Sequence, residues 1–172
     1  MKAKLISAMV PAVLLMSSSA FAIEGETSTV IFNGEIVEST CALATASKNQ
    51  AVNLGTVSAN VLSAVNSTSQ AKDFTIKLTD CDLDSATTAT VTFSGDTAVD
   101  TALNVTGGAA GVGLQILQNG TPLTLDGSTA SAPQTLVAGN NTLDFAARYV
   151  ALAATVTAGK ADATASFTMN YQ

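Results

Sequence analysis

The sequence holds no histidine and no tryptophan, only two tyrosines and two cysteines, and charged residues make up just 12% of it. Without histidine, a nucleophilic serine, threonine or cysteine would need a lysine or a carboxylate as its base, and no G-x-S-x-G pattern occurs. A zinc site or a catalytic thiol would need histidine or further cysteines beside Cys41 and Cys81. No catalytic residue, metal site or cofactor is therefore assigned. A carbohydrate-binding module of the usual kind would show a cluster of exposed aromatics. Both tyrosines, Tyr149 and Tyr171, fall instead on the apolar faces of alternating runs.

Basic residues are also scarce. Lys2 and Lys4 precede an apolar run, Leu5 to Met16, and a small-x-small site at Ala20-Phe21-Ala22, the pattern of a cleaved secretory signal. The run is shorter than the roughly 20 residues that span a bilayer, so residues 1–22 are assigned as a signal peptide rather than a membrane anchor. Cleavage leaves 150 residues, enough for one domain with a core, carrying five basic against 13 acidic residues and a formal charge of −8. That balance speaks against nucleic acid and against anionic membrane surfaces, which select for lysine and arginine clusters.

What is present is alternation. Thr29 to Thr40 reads as one strand, with Val30, Phe32, Gly34 and Ile36 on one face, and it ends at Cys41. It lies outside the loop that the two cysteines could close, so its apolar face packs either in its own domain or in another subunit. In an exported protein a bridge between Cys41 and Cys81 is the default, and a loop of this length stabilises by roughly 4 kcal/mol on the chain-entropy estimate. Phe74, Ile76 and Leu78 alternate with polar residues toward Cys81, and Ala89, Val91 and Phe93 do so toward Ser94-Gly95-Asp96. Val112, Leu114 and Ile116 lead into Asn119-Gly120, and Leu123 and Leu125 into Asp126-Gly127, dipeptides favoured in tight hairpin turns. Leu143, Phe145, Ala147 and Tyr149 share one face of a long strand. The last run is the most regular: Ala163, Ala165, Phe167, Met169 and Tyr171 alternate with polar residues up to Gln172. The sum is an all-β chain, an antiparallel sandwich of seven or so strands.

One cluster invites a metal reading. Asp80, Asp82 and Asp84 open like a calcium loop, but its sixth position is Ser85 where glycine is required and its twelfth is Val91 where a bidentate glutamate belongs. A solvated acidic turn is the plainer assignment.

The joint order of an arm V-x-F-x-G-x-x-V before Cys41, the second cysteine in Leu78-Thr79-Asp80-Cys81-Asp82, the run Val112 to Leu117, Leu123 to Gly127, Phe145 to Tyr149, and a C-terminal Asp162 to Phe167 ending in a penultimate Tyr171 resembles the chaperone-usher pilus subunits. Within that family it is most like the major rod pilins of type 1 fimbriae, with a minor or linker pilin as the alternative inside the family and a secreted carbohydrate-binding sandwich outside it. The resemblance implies an incomplete immunoglobulin-like sandwich, residues 37–172, completed by a donor strand from another subunit. It implies that residues 23–36 form the donor arm, with Ser28, Val30, Phe32, Gly34 and Ile36 on the donating face, Ser28 standing where the family places a large apolar residue. It places Gly159, Ala165, Phe167, Met169, Tyr171 and Gln172 on the acceptor groove and chaperone-binding side. The implied partners are further copies and other pilins, a periplasmic chaperone and an outer-membrane usher. The implied destination is the cell surface, reached through the periplasm.

Overall fold

The computed structural model describes residues 28–34 and 40–172. The signal peptide, the beginning of the arm and residues 35–39, including Ile36, lie outside the described residues.

From Thr40 onward the alternating runs become strands because each has an apolar face to bury and a neighbour to pair with. They are β1 (Ala42–Leu43), β2 (Lys72–Cys81), β3 (Thr88–Gly95), β4 (Thr97–Val99), β5 (Ala102–Asn104), β6 (Val112–Gln118), β7 (Thr121–Pro122), β8 (Gln134–Thr135), β9 (Gly139–Ala151) and β10 (Ala165–Tyr171). Two single 3-10 turns, Thr45–Ser47 and Ala59–Leu62, are the only helical pieces among the described residues. One sheet runs β1-β2-β9-β6-β5-β4, with β7 paired to β6; the other runs β10-β3-β8. All ladders are antiparallel. The expected seven or so strands are thus ten, because several connections form two- or three-residue ladders too short to show a period.

The core lies between the sheets. Ile76 and Leu78 of β2, Leu143 and Phe145 of β9, and Ile116 of β6 meet Ala89, Val91 and Phe93 of β3, all at most about one-twentieth exposed. Four phenylalanines run through it: Phe74 stacks on Phe145 (5.8 Å), Phe93 stands edge-on to Phe145 (5.2 Å), and Phe167 of β10 leans on Phe93 (6.1 Å).

Strict alternation along β2 would put Cys81 on the outer face with Thr75, Lys77 and Thr79. It does not, because the register slips between Leu78 and Cys81, where Asp80 takes a left-handed φ of 54°. One extra residue in one strand returns the following side chain to the opposite face. Cys81 therefore points inward and bonds to Cys41, which β1 carries to the edge of β2 through Ala42↔Thr79.

Asn119-Gly120 forms the expected hairpin, closing Gln118↔Thr121 with φ of 51° and 81° at its two turn residues. The following run differs from expectation. Rather than continuing as a strand into Asp126-Gly127, the chain crosses to the other sheet. The Gly95 N–H donates to the Leu125 carbonyl (3.0 Å) and the Gly127 N–H to that of Phe93 (3.0 Å).

Candidate functional site: a groove beside the last strand

β10 pairs with β3 over seven positions, from Ala165↔Gly95 to Tyr171↔Ala89, and stands at the end of its sheet. Gln172 and Thr88 exchange both main-chain hydrogen bonds (2.9 Å each), which fixes the phase of the ladder. In an antiparallel pair the bonded positions recur every second residue. Ser166, Thr168 and Asn170 therefore bond inward to β3, and Ala165, Phe167 and Met169 aim their main-chain N–H and C=O groups at the outer edge. Side chains alternate in the same phase: Ser166, Thr168 and Asn170 are exposed, while Ala165, Phe167, Met169 and Tyr171 face the core yet remain only half-buried.

Beside Ala165 and Phe167 a groove of about 880 Å³ opens; Met169, Tyr171 and Gln172 continue the same strand beyond its lining. One wall is residues 161–167. The other is residues 49–55, a segment with no strand pairing among the described residues, bounded by left-handed Asn49 and Gly55. Val52 and Leu54 are half-buried on this wall, alternating with exposed neighbours. The floor is the core itself, reached at Phe74, Ile76, Phe93 and Ile116.

Two devices hold the β10 wall in place. The Tyr149 hydroxyl donates to the Ala161 carbonyl (2.8 Å), and burial, then the nearby Asp162 carboxylate, push its pKa above the ordinary tyrosine value. Two loops also cross in contact, with Thr106 bridged to Asp162 and Ala110 to Thr157. A Cβ on Gly159 would collide with the main chain of Gly108 and Ala109 there. Gly159 is thus at the crossing that shapes the wall, not among the residues lining the groove. The Gln172 carbonyl oxygen accepts from the Thr87 and Thr88 N–H groups (2.8 and 2.9 Å). The Tyr171 hydroxyl makes a long contact (3.5 Å) with the Cys41 carbonyl near the disulfide.

The described part of the arm is different in kind. Residues 28–34 form no strand and every one is exposed, Val30 to 72% and Phe32 to 90%. A Cβ placed on Gly34 would meet nothing within 4 Å.

None of the remaining candidates lines the groove. Asp80, Asp82 and Asp84 are exposed, and the Asp82 carboxylate caps the Asp84 N–H (3.2 Å). The sequence does contain one S-x-x-K match, Ser69 to Lys72. Ser69 is buried, accepting from the Tyr149 N–H (3.0 Å) and donating to the Gln70 carbonyl (3.2 Å). The wall formed by residues 49–55 is what sequence reasoning missed. Its signal, the weak Val52-Asn53-Leu54 run, is only three residues long.

A family model of fimbrial proteins matches residues 30–172. Long polar fimbria protein A of Salmonella typhimurium strain LT2 is 40% identical over 166 residues, covering 94% of this chain and 93% of that one. Fimbrial subunit type 1 of Salmonella typhimurium is 39% identical over 186 residues and covers both chains in full. Among solved structures, a subunit from a chaperone-usher pilus, described for the molecular basis of rod uncoiling, superposes with a TM-score of 0.75 at 28% identity, over 89% of this chain and 100% of its own. The immunoglobulin-like sandwich, the disulfide at one end and the match across nearly all of the exported sequence agree: the chain belongs to the fimbrial protein family of pilus subunits.

Proposed function

We propose that this protein is the repeating rod subunit of a chaperone-usher pilus, and that each copy fills the groove of a neighbour with its own N-terminal arm. The observation that carries the reading is a pair of unmet needs in one chain. β10 has no strand paired to its outer edge among the described residues and stands beside a groove with an apolar floor, and Val30 and Phe32 of residues 28–34 are exposed. An extended arm from Ser28 to Ile36 spans roughly 27 Å, comparable with β10 and the wall residues before it. Burying Val30, Phe32 and Ile36 would contribute about 1.5 to 3 kcal/mol each, and main-chain bonds to β10 would add to this. Gly34, lacking a side chain, lets the arm's main chain approach the floor closely.

The reading is structural rather than catalytic, with Tyr149 and Asp162 the titratable side chains among the described residues that line the groove. An open edge over a groove with an apolar floor is also an aggregation hazard, which gives a periplasmic chaperone a physical task before an outer-membrane usher exchanges it for the next arm. The finished fibre lies outside the cell.

The test is electrophoresis of the exported protein, unheated and after boiling in detergent, for the full mature chain and for one lacking residues 23–36. Heat-sensitive multimers that vanish with the arm are expected. A stable monomer in both samples, without a chaperone, would mean that the sandwich is complete alone and would leave a secreted binding module as the better reading.

A further inference from the structure

The sequence holds two Asn-Gly pairs, Asn33-Gly34 and Asn119-Gly120. They differ in one respect that matters chemically. An asparagine followed by glycine loses its amide when the main-chain nitrogen of the glycine attacks the side-chain Cγ. A C–N bond forms, ammonia leaves, and a five-membered succinimide results. Water then opens the ring at either carbonyl, giving aspartate or an isoaspartate whose main chain runs through the side-chain methylene. The attack needs the asparagine main chain free to swing the next nitrogen onto Cγ, and it needs no Cβ on the following residue to obstruct it.

Asn119 lacks that freedom. It and Gly120 are held at φ of 51° and 81° in the turn between β6 and β7, clamped by Gln118↔Thr121. Asn33 has it, being exposed, outside any strand, and followed by a glycine with open space where a side chain would stand. We infer that Asn33 is a site of spontaneous deamidation in the unpolymerised subunit, and that insertion of the arm into a groove protects it. The second half rests on the donor role proposed above. In an inserted strand the Asn33 main chain is fixed by its neighbours, so the ring cannot close.

The product would matter because of where it forms. Isoaspartate lengthens the main chain by one methylene between Phe32 and Ile36. The period that places Val30, Phe32, Gly34 and Ile36 on one face is then broken in the middle. A subunit that waits too long before assembly thereby loses the ability to donate, while one already in the fibre is preserved.

The experiment incubates mature subunit bound to its chaperone, and purified fibres, side by side at mildly alkaline pH. Amide loss at each Asn-Gly peptide is followed by mass spectrometry, and isoaspartate by enzymatic methyl labelling. In the unpolymerised subunit, loss at Asn33 should exceed that at Asn119 by at least about tenfold, the ratio given by a barrier difference of ~1.4 kcal/mol. In fibres Asn33 should stay intact. Equal rates at the two sites in the unpolymerised subunit would overturn the inference and leave the donor role untouched. Fast loss at Asn33 in both samples would instead count against insertion of the arm, and so against the donor role. Asn33→Gln, which must close a larger ring and keeps the donating face unchanged, should stay intact and still assemble. Isoaspartate-bearing subunits that polymerise as well as fresh ones would refute the proposed consequence.

Discussion

Single residues set the shape of the groove, and the two most telling do so by opposite means. Gly159 acts through what it lacks, allowing the loop before β10 to lie against the main chain of Gly108 and Ala109. Neither of those atoms belongs to a side chain that can move aside, so Gly159→Ala should destabilise the subunit by about 1 to 3 kcal/mol, the cost of overpacking. Guanidinium denaturation would show this as a lowered midpoint, and an unchanged midpoint would contradict the crossing. Tyr149 acts through its hydroxyl, whose bond to the Ala161 carbonyl ties the wall to β9. Its pKa is raised by burial first and by Asp162 second, so the protonated form is favoured in the folded chain. The stabilisation is fully present below the ordinary tyrosine value of 10.0 and is lost as pH rises through the raised one. With Tyr171→Phe, Tyr149 becomes the sole tyrosine. Its ultraviolet titration should have a midpoint above the ordinary value, and Asp162→Asn should recover only part of the shift. A midpoint at the ordinary value would mean that the wall is not pinned there.

At the scale of elements, what the sequence made legible is what repeats inside one strand. Ile76 and Leu78, Ala89 to Phe93, Leu143 to Ala147 and Ala165 to Tyr171 alternate over enough residues to define a face, and each became a ladder. The left-handed Asp80 that turns Cys81 inward was not legible, because a bulge shows only against the partner strand. The Leu123 and Leu125 run was misjudged because its second half serves the other sheet. Residues 49–55 and 28–34 have strand-like alternation but no partner among the described residues. In the proposed fibre their partner is a segment of another copy, which no reading of a single chain displays. The phase of β10 offers a direct check. Phe167→Asp places a charge in the groove, whereas Thr168→Asp places it on the exposed face one residue away. The first should abolish heat-sensitive multimers, since an unpaired carboxylate against the apolar floor of a filled groove costs several kcal/mol, and the second should leave them. Equal behaviour of the two variants would contradict the register assigned here.

At the scale of the whole molecule, the disulfide and the groove divide the work of holding the fold. The Cys41–Cys81 bridge closes a separation of 40 residues, worth roughly 4 kcal/mol through chain entropy, and anchors β1 at the edge of β2. Among the described residues no strand pairs with the outer edge of β10, so the subunit's stability should depend on what occupies the groove. A second copy of the Ser28–Ile36 sequence, joined after Gln172 through a short turn, can fold back antiparallel along β10 and fill the groove from within. Such a chain should accumulate as a monomer without a chaperone and melt well above the ordinary subunit. Its original arm is intact while its groove is occupied, so it can donate but not accept. Added to growing fibres as a minor component, it should cap them, and mean fibre length in electron micrographs should fall as its fraction rises. Unchanged length with unchanged melting would mean that the groove is not where copies of this protein join.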